Sequence, residues 1–531
     1  MTIKSISLFI RICFLAILIS SCKSNSSPGP LLNSGKNIGP YNEPYRPQYH
    51  FSPPAHWMND PNGMVYLDGE YHLFYQYYPD STVWGPMHWG HAVSQDLIHW
   101  EHLPIALYPD SLGYIFSGSA VIDSLNTSGL GDNGKGPMIA MYTSHSSEKE
   151  KSGSTQFENQ SIAYSNDRGR TWKKYKDNPV ISNPGIRDFR DTKVIWHEGT
   201  KKWVVVFAAT DHLTIYTSPD MKHWTHVSDF GKEYGNHKGV WECPDLFPVL
   251  VENSREVKWV LLQSINPGGP NGGSATQYFV GDFDGKKFTI DPAFENKVKH
   301  GNAVWVDQGK DNYAGVTWSG IPASDGRSIF LGWMSNWQYA EKVPSTTWRS
   351  ANTIPRELIL EKSTYGYRLK SLPIKELDSL ETNTRTLPAA TIDTSLLIME
   401  HNPTARLELT FKKPRLETIT IRLSNTAGEY CDIGYDPANQ TYFIDRDHAG
   451  KKDFSNDFSG RQVAKIDYES SDIKFLLLLD HASVELFADR GRCVMTAIFF
   501  PSPPFDKAEI IKTNESIALI EGKISALKRI W

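Results

Sequence analysis

From about residue 45 to residue 370 the chain is written in short alternating runs of large apolar and polar residues, the two-residue period of half-buried strands. "MVYLDGEYHLFYQYYP" (Met64 to Pro79) is representative: an apolar run, a polar Asp-Gly turn, then a second apolar run. No long segment with the 3.6-residue period of a helix interrupts this region, so it reads as all-β.

Two phrases recur. "SQDLIHW" (Ser94 to Trp100), "SNDRGRTW" (Ser165 to Trp172), "SPDMKHW" (Ser218 to Trp224) and, more loosely, "GDFDGKKF" (Gly281 to Phe288) are polar turns with an Asp, each closed by an aromatic. Upstream of these lie "NDPNGMVYLDGEYHLFYQ", "RDTKVIWHEGTKKWVVVFAA", "CPDLFPVLVENSREVKWVLLQS" and "KDNYAGVTWSGIPASDGRSIFLGWM". Each places an Asp at a strand start and follows it with a hairpin. "SGSAVIDS…GPMIAMYTS" (Ser117 to Ser144) supplies a fifth hairpin. Five irregular units of roughly 50 to 70 residues predict a five-bladed β-propeller over 45–370, with a large sandwich or a solenoid as the competing architectures. A connecting segment over 371–384 follows. From 385 to 531 the texture changes to short strands such as "ARLELTFKK", "TITIRLSN" and "DIKFLLLLDHASVELFAD", which predict a C-terminal β-sandwich.

The N-terminus adds a targeting segment. Lys4 and Arg11 precede the apolar run Ile12 to Ile19, too short for a membrane-spanning helix but the length of a signal core. It ends in Ile19-Ser20-Ser21-Cys22, which resembles the site at which a bacterial lipoprotein is cleaved and lipidated. On that reading residues 1–21 are the signal peptide, Cys22 carries lipid, and the Ser-, Gly- and Pro-rich stretch over 22–44 is a tether. The alternatives are an ordinary signal peptide or a buried apolar segment.

Composition narrows the function. A formal net charge of -5 gives no basic surplus for nucleic acid. The 16 Trp, 24 Tyr and 24 Phe fit either strand-rich structure or stacking on sugar rings. Cys243, Cys431 and Cys493 have no metal-ligand spacing; the last two either pair or remain buried thiols.

The inner strands of a propeller converge on one axis, so residues at their starts meet. Asp60, Asp191 and Asp245 occupy matching places in their units, and Glu242 lies close by in "VWECPD". A lone Asp before a turn is ordinarily a turn-former. Several carboxylates aimed at one small volume repel, and such a cluster needs a use. Cleavage of a glycosidic bond is one: one carboxylate attacks the anomeric carbon and a protonated partner assists the leaving oxygen. Val240, Trp241, Cys243 and Pro244 form an apolar sleeve that would keep a proton on Glu242; Asn59 and Asn62 suit an anionic Asp60. Arg190 and Lys193 predict a permanently ionised Asp191.

"WMNDPNG", "FRDTKV" and "WECPD" closely resemble the signatures of glycoside hydrolase family 32, the family of invertases, inulinases and levanases; "FSGSAV", "IFLGWMSNWQYA", "WRSANTIPREL" and "DHASVELFAD" extend the resemblance over nearly the whole mature chain. The resemblance implies a five-bladed propeller with a C-terminal sandwich, a retaining mechanism, Asp60 as nucleophile, Glu242 as general acid/base and Asp191 as transition-state stabiliser. It further implies Asn59, Gln76, Trp84, Phe116, Ser117, Arg190 and Trp337 in the sugar pocket. Each has a plainer reading: Gln76 as a satisfied buried amide, Trp84 and Trp337 as core aromatics, Ser117 as a turn residue and Cys243 as small buried packing beside the acid. One departure stands out: the family usually writes Arg-Asp-Pro where this chain has Arg190-Asp191-Thr192. Another Arg-Asp pair, Arg187-Asp188, lies just upstream.

The expectation is a lipid-anchored hydrolase of the bacterial cell envelope, on the periplasmic face or the cell surface. It would release fructose from β-fructans (levan, inulin) and sucrose-type oligosaccharides, with no metal or organic cofactor. "GGPNGGSATQYFVGDFDG" resembles exo-acting members. An endo-fructanase, a fructosyltransferase and a non-catalytic surface glycan-binding protein are the competing readings.

Overall fold

A computed structural model describes residues 41–132, 136–511 and 515–531. The predicted signal peptide, Cys22 and nearly all of the tether lie outside the described residues.

Five antiparallel sheets stand in sequence order as propeller blades. Their first strands are His56–Leu67, Tyr114–Ile122, Phe189–His197, Val240–Leu250 and Tyr313–Thr317. These are the starts of the five units read from the sequence. The recurring polar turn joins the third and fourth strands of the first four blades. Its Asp accepts from the backbone: Asp96 from Ile98 and His99 N–H, Asp220 from Lys222 and His223 N–H, Asp284 from Lys286 and Lys287 N–H. The repeat is therefore a turn device, not chemistry.

A ring of contacts locks each first strand to the next. Gly118 N–H donates to Asn62 Oδ1 at 3.3 Å, and Val194 N–H to Ser119 Oγ at 2.9 Å. Lys193 Nζ lies 3.1 Å from Asp245 Oδ1, and Thr317 Oγ1 donates to Asp245 Oδ2 at 2.7 Å. Ser319 N–H donates to Met64 O at 2.9 Å and completes the circle. Closure is reinforced where Trp348–Arg349 pairs in parallel with His56–Trp57.

The last blade ends with strand Gly366–Pro373. A short 3-10 turn, Lys375–Leu380, leads into Glu381–Leu387, which pairs with the C-terminal strand Ile517–Leu527. A seven-stranded and a six-stranded sheet form the sandwich. Its strands alternate cleanly: Leu407, Leu409 and Phe411 point inward while Arg406, Glu408 and Thr410 between them are partly exposed. Each fully buried Leu, Ile or Phe contributes about 1.5–3 kcal/mol of transfer free energy. The other face of the larger sheet is also covered, since Leu478, Phe487 and Val494 pack against Tyr49, Phe51, Ile354 and Leu377. Cys431 and Cys493 are separate buried thiols in the sandwich core, which resolves their pairing in favour of the unpaired reading.

Candidate active site

Each of the five inner strands carries a two-against-one β-bulge at the same level. Asn59-Asp60 bulge opposite Gln76, Phe116-Ser117 opposite Thr143, Asp191-Thr192 opposite Phe207, Cys243-Pro244 opposite Gln263, and Ala314-Gly315 opposite Gly332. A bulge re-aims side chains that a flat strand would send to alternate faces. Asp191, Cys243 and Ala314, the first bulge residues of three blades, are all left-handed, with φ of 67°, 45° and 53°. Such backbone costs free energy for residues with a Cβ and concentrates at functional sites.

This register corrects the sequence alignment of the carboxylates. Asp60 is the second residue of its bulge and Asp191 the first of its own. Glu242 stands one position ahead of its bulge, level with Arg190 and Tyr313 on the flanking blades. Asp245 lies just past its bulge, level with Lys193, and is fully buried in the ring of inter-blade contacts. It belongs to the floor, not to the site.

Above that floor opens a cavity of about 420 Å³ with walls from all five blades. Asn59, Asp60 and Trp84 come from the first blade; Phe116, Ser117, His145, Glu150 and Glu158 from the second; Asp188, Arg190 and Asp191 from the third; Glu242 from the fourth; Trp337 and Glu341 from the fifth. Below it the channel narrows to about 10 Å³, roughly the room for one water.

The "WMND" stretch becomes intelligible here. Buried Trp57 donates from Nε1 to Asn59 Oδ1 at 2.7 Å, and Asn59 Nδ2 donates to Asp60 Oδ1 at 3.0 Å. Ser117 Oγ donates to the other oxygen of Asp60 at 2.7 Å. Cys243 Sγ lies 3.4 Å from the same oxygen and 3.6 Å from Asp191 Oδ2. Burial raises the Asp60 carboxyl above the usual range, the nearby Glu242 charge adds to this, and the donors from Ser117, Asn59 and Cys243 oppose it.

Asp191 differs from expectation. Neither cation beside it in sequence serves it closely. Lys193 is spent on Asp245 and Thr317 in the floor. Arg190 keeps its Nε 3.9 Å from Asp191 and turns its other nitrogens to Glu158, Asp188 and Glu242. Asp191 is left with the Cys243 N–H at 3.1 Å and the Cys243 thiol at 3.6 Å. Burial therefore raises its carboxyl well above the ordinary range, and Glu242 and Asp60 add to the shift against the pull of Arg190. A permanently ionised Asp191 is not what this environment favours.

Glu242 likewise lacks the apolar sleeve that its sequence neighbours implied. Trp241 turns away to donate to Asn236 O at 2.9 Å, Cys243 turns its thiol to Asp60 and Asp191, and the Glu242 carboxylate accepts from Arg190 Nη2 at 3.0 Å and from the Tyr313 hydroxyl. Arg190, Glu242 and Tyr313, level on three successive blades, form one hydrogen-bonded row.

Trp84 is 37% exposed at the rim, edge-on to Phe116, and Trp337 stacks on Trp57 with centroids 5.8 Å apart. Both line the cavity and are not core aromatics. Gln76 is the exception among the expected pocket residues: it is buried, donates to Ile115 O at 3.0 Å, and does not line the cavity. Thr192 fills the place of the usual Pro and donates from Oγ1 to Met141 O at 2.9 Å, a tether to the second blade. Sequence reading missed His145, Glu150, Glu158, Asp188, Tyr313 and Glu341. Only Asp188, in the second Arg-Asp pair, carried a visible signal.

Two buried carboxyls, a third that is partly exposed, one shared thiol and one arginine around a sugar-sized cavity can supply an attacking oxygen, a transferable proton and acceptors for hydroxyls. Comparisons with known proteins agree with that chemistry. Residues 50–373 match the Glycosyl hydrolases family 32 N-terminal domain, and residues 374–526 match the Glycosyl hydrolases family 32 C terminal. A levanase of Bacillus subtilis is 46% identical over 92% of this chain and 72% of its own. An extracellular exo-inulinase of Aspergillus awamori is 40% identical over 92% and 96%. The crystal structure of the Aspergillus awamori exo-inulinase superposes with a TM-score of 0.86, at 39% identity over 92% of this chain and all of that one. A β-fructofuranosidase of Schwanniomyces occidentalis, complexed with fructosyl-erythritol, superposes with a TM-score of 0.80 at 31% identity, over 93% and 100%. With both of its domains matched end to end and its carboxylates gathered in the propeller mouth, the chain belongs to glycosyl hydrolase family 32.

Proposed function

We propose that this protein is a retaining β-fructosidase that removes terminal fructose from levan, inulin and sucrose-type oligosaccharides. The observation that carries the reading is the pairing of Asp60 and Glu242 across one cavity in unlike surroundings. Asp60 is held by neutral donors, with Ser117 and Asn59 fixing both of its oxygens. That leaves it an oriented oxygen nucleophile. Glu242 is held by a cation and a phenol that can retain it through both protonation states.

In the first step Asp60 attacks the anomeric carbon of the bound fructosyl unit while Glu242 gives its proton to the leaving oxygen. In the second, Glu242 takes a proton from water, and that water releases fructose from Asp60. Asp191 takes the role of accepting from fructosyl hydroxyls as charge develops. Asn59, Ser117, Arg190, Phe116, Trp84 and Trp337 shape the fructose pocket, and Gln76 holds the wall behind it.

Release from a chain end is supported by the shape. The cavity is lined from all five blades and the floor is sealed by Lys193, Asp245 and Thr317, so a polymer can enter only from the mouth. A time course on inulin, levan and sucrose in parallel tests this. Free fructose as the main product from the earliest points is expected; a ladder of shorter oligomers, or transfer products, would overturn the exo reading.

The same proposal includes a lipid anchor at Cys22 in the bacterial envelope. Its support is the apolar run Ile12 to Ile19 followed by Ile19-Ser20-Ser21-Cys22 and a polar tether. Expression with labelled fatty acid should label the wild type and leave Cys22→Ala unlabelled and in the soluble fraction; equal behaviour of the two would exclude the anchor.

A further inference from the structure

Glu158 is wholly buried at the back of the cavity wall, on strand Glu158–Ser165 of the second blade. A buried carboxylate is costly unless it is paired. This one receives Arg190 Nη1 at 3.1 Å on Oε1 and at 3.4 Å on Oε2, and the His145 ring Nδ1 lies 3.3 Å from Oε1. Arg190 pulls its carboxyl below the usual range in spite of burial, with His145 assisting. The guanidinium is thus shared: Nη1 to Glu158 and to Asp188 at 2.7 Å, Nη2 to Glu242 at 3.0 Å. His145 is fixed in turn, stacked on Phe116 with centroids 4.1 Å apart and 3.2 Å from Glu150.

We propose that Glu158 is the positioning residue for the acid/base: it anchors Arg190 from behind, and through Arg190 it sets both the orientation and the local charge at Glu242. The inference rests on reading Glu242 as the acid/base. Its physical core is that a flexible arginine holds a mobile carboxyl only if its own far side is fixed. Glu158, together with Asp188, fixes that side, and its charge partly cancels that of the arginine facing Glu242. The charged and titratable groups around Glu242 are Arg190, Asp188 and Asp191 from the third blade, Asp60 from the first, Tyr313 from the fifth and Cys243 from its own strand. Those around Glu158 are Arg190, His145 and, beyond His145, Glu150.

The test compares Glu158→Gln and Glu158→Asp with wild type, following kcat/KM against pH on sucrose and on an aryl β-fructoside whose leaving group needs no proton. Gln keeps the acceptor to Arg190 but removes the charge, so Arg190 acts on Glu242 less opposed. The alkaline limb on sucrose should move to lower pH by about one unit, the effect of one nearby charge. At a pH one unit above the wild-type limb, activity falls about tenfold. On the aryl substrate this deficit disappears, and Glu158→Asp leaves the limb in place even where kcat drops. A Glu158→Gln limb that coincides with wild type, or a deficit equal on both substrates, would overturn the proposal. Glu242→Gln, run alongside, separates the two levels: if the aryl substrate fails to rescue it, the acid/base reading itself falls, whereas rescue of Glu242→Gln with an unmoved Glu158→Gln limb removes only the role of Glu158.

Discussion

At the scale of single residues, the cavity holds more negative groups than its cations serve, and the imbalance makes a prediction. A carboxyl whose folded-state pKa is raised costs stability at every pH above its unfolded value, a cost relieved only as pH falls toward that value. Asp191 is raised by burial and by its neighbours. Asp191→Asn keeps an acceptor for the Cys243 N–H and removes the charge. It should raise the melting temperature at neutral pH by a few degrees, about 1 kcal/mol or more, while kcat falls at least about 10²-fold. Calorimetry at pH 7 and at pH 4 checks it, since the gain should shrink at the lower pH. The three candidate catalytic carboxylates were legible in sequence because short phrases around them recur and resemble a family. The pairings that hold them were not. Arg190 binds Glu158 and Glu242, and Glu242 binds Tyr313, across four blades and more than a hundred residues of chain, and no spacing rule links such positions. The error over Asp191 had the same origin: Arg190 and Lys193 are neighbours in sequence, but the bulge between them sends one up into the cavity and the other down into the floor.

At the scale of the element, the five aligned bulges are the device that converts a ladder of strands into a ring of convergent side chains. The five hairpins and the Asp-bearing turns could be read from alternation and turn chemistry. The bulges could not, because their extra residues are chemically unrelated from blade to blade. One bulge allows a clean perturbation. At Gly118, next to Ser117, an added Cβ would lie 2.0 Å from Met141 O and 2.8 Å from Tyr142 Cα, backbone atoms that cannot yield. Gly118→Ala should therefore destabilise by about 1–3 kcal/mol, displace Ser117 from Asp60 and lower kcat with little change in secondary structure. Gly69→Ala is the contrast: its φ of 88° imposes strain, but nothing lies within 4 Å of the new methyl. It should cost some stability and leave kcat intact. Denaturant melts and initial rates on both variants decide the matter.

At the scale of the whole molecule, the sandwich is bonded to the propeller through buried charge. Arg356 of the last blade reaches Asp307 at 2.9 Å and also grips Glu485 of the sandwich. His50, ahead of the first blade, lies 2.7 Å from Asp480 and 2.8 Å from Glu485. Asp480 and Glu485 both come from "DHASVELFAD", so that phrase marks an interface, a purpose invisible until the two domains are seen together. Burial works against the His50 cation, but the two carboxylates outweigh it and push its pKa up to about 9. A raised pKa stabilises fully below the unfolded value of about 6.5 and is lost as pH climbs through the folded one. The melting temperature should therefore fall between about pH 6.5 and 9 in wild type, and His50→Gln should flatten that slope. Glu485 is held down to about 2 by Arg356 and His50 despite burial, so its share is lost only in strong acid. Removing it strands Arg356 and His50: Glu485→Gln should cost about 3–5 kcal/mol, read from a urea melt at pH 6.

On this mechanism Asp60 becomes covalently bonded to fructose during turnover. The direct measurement is peptide mass spectrometry of Glu242→Gln quenched after reaction with an activated aryl β-fructoside, for which the first step needs no acid and the second lacks its base. One added fructosyl unit is expected on the peptide that contains Asp60 and none on the peptide that contains Asp191. A fructosyl unit on any other residue, or turnover of the substrate with no adduct on Asp60, would contradict it.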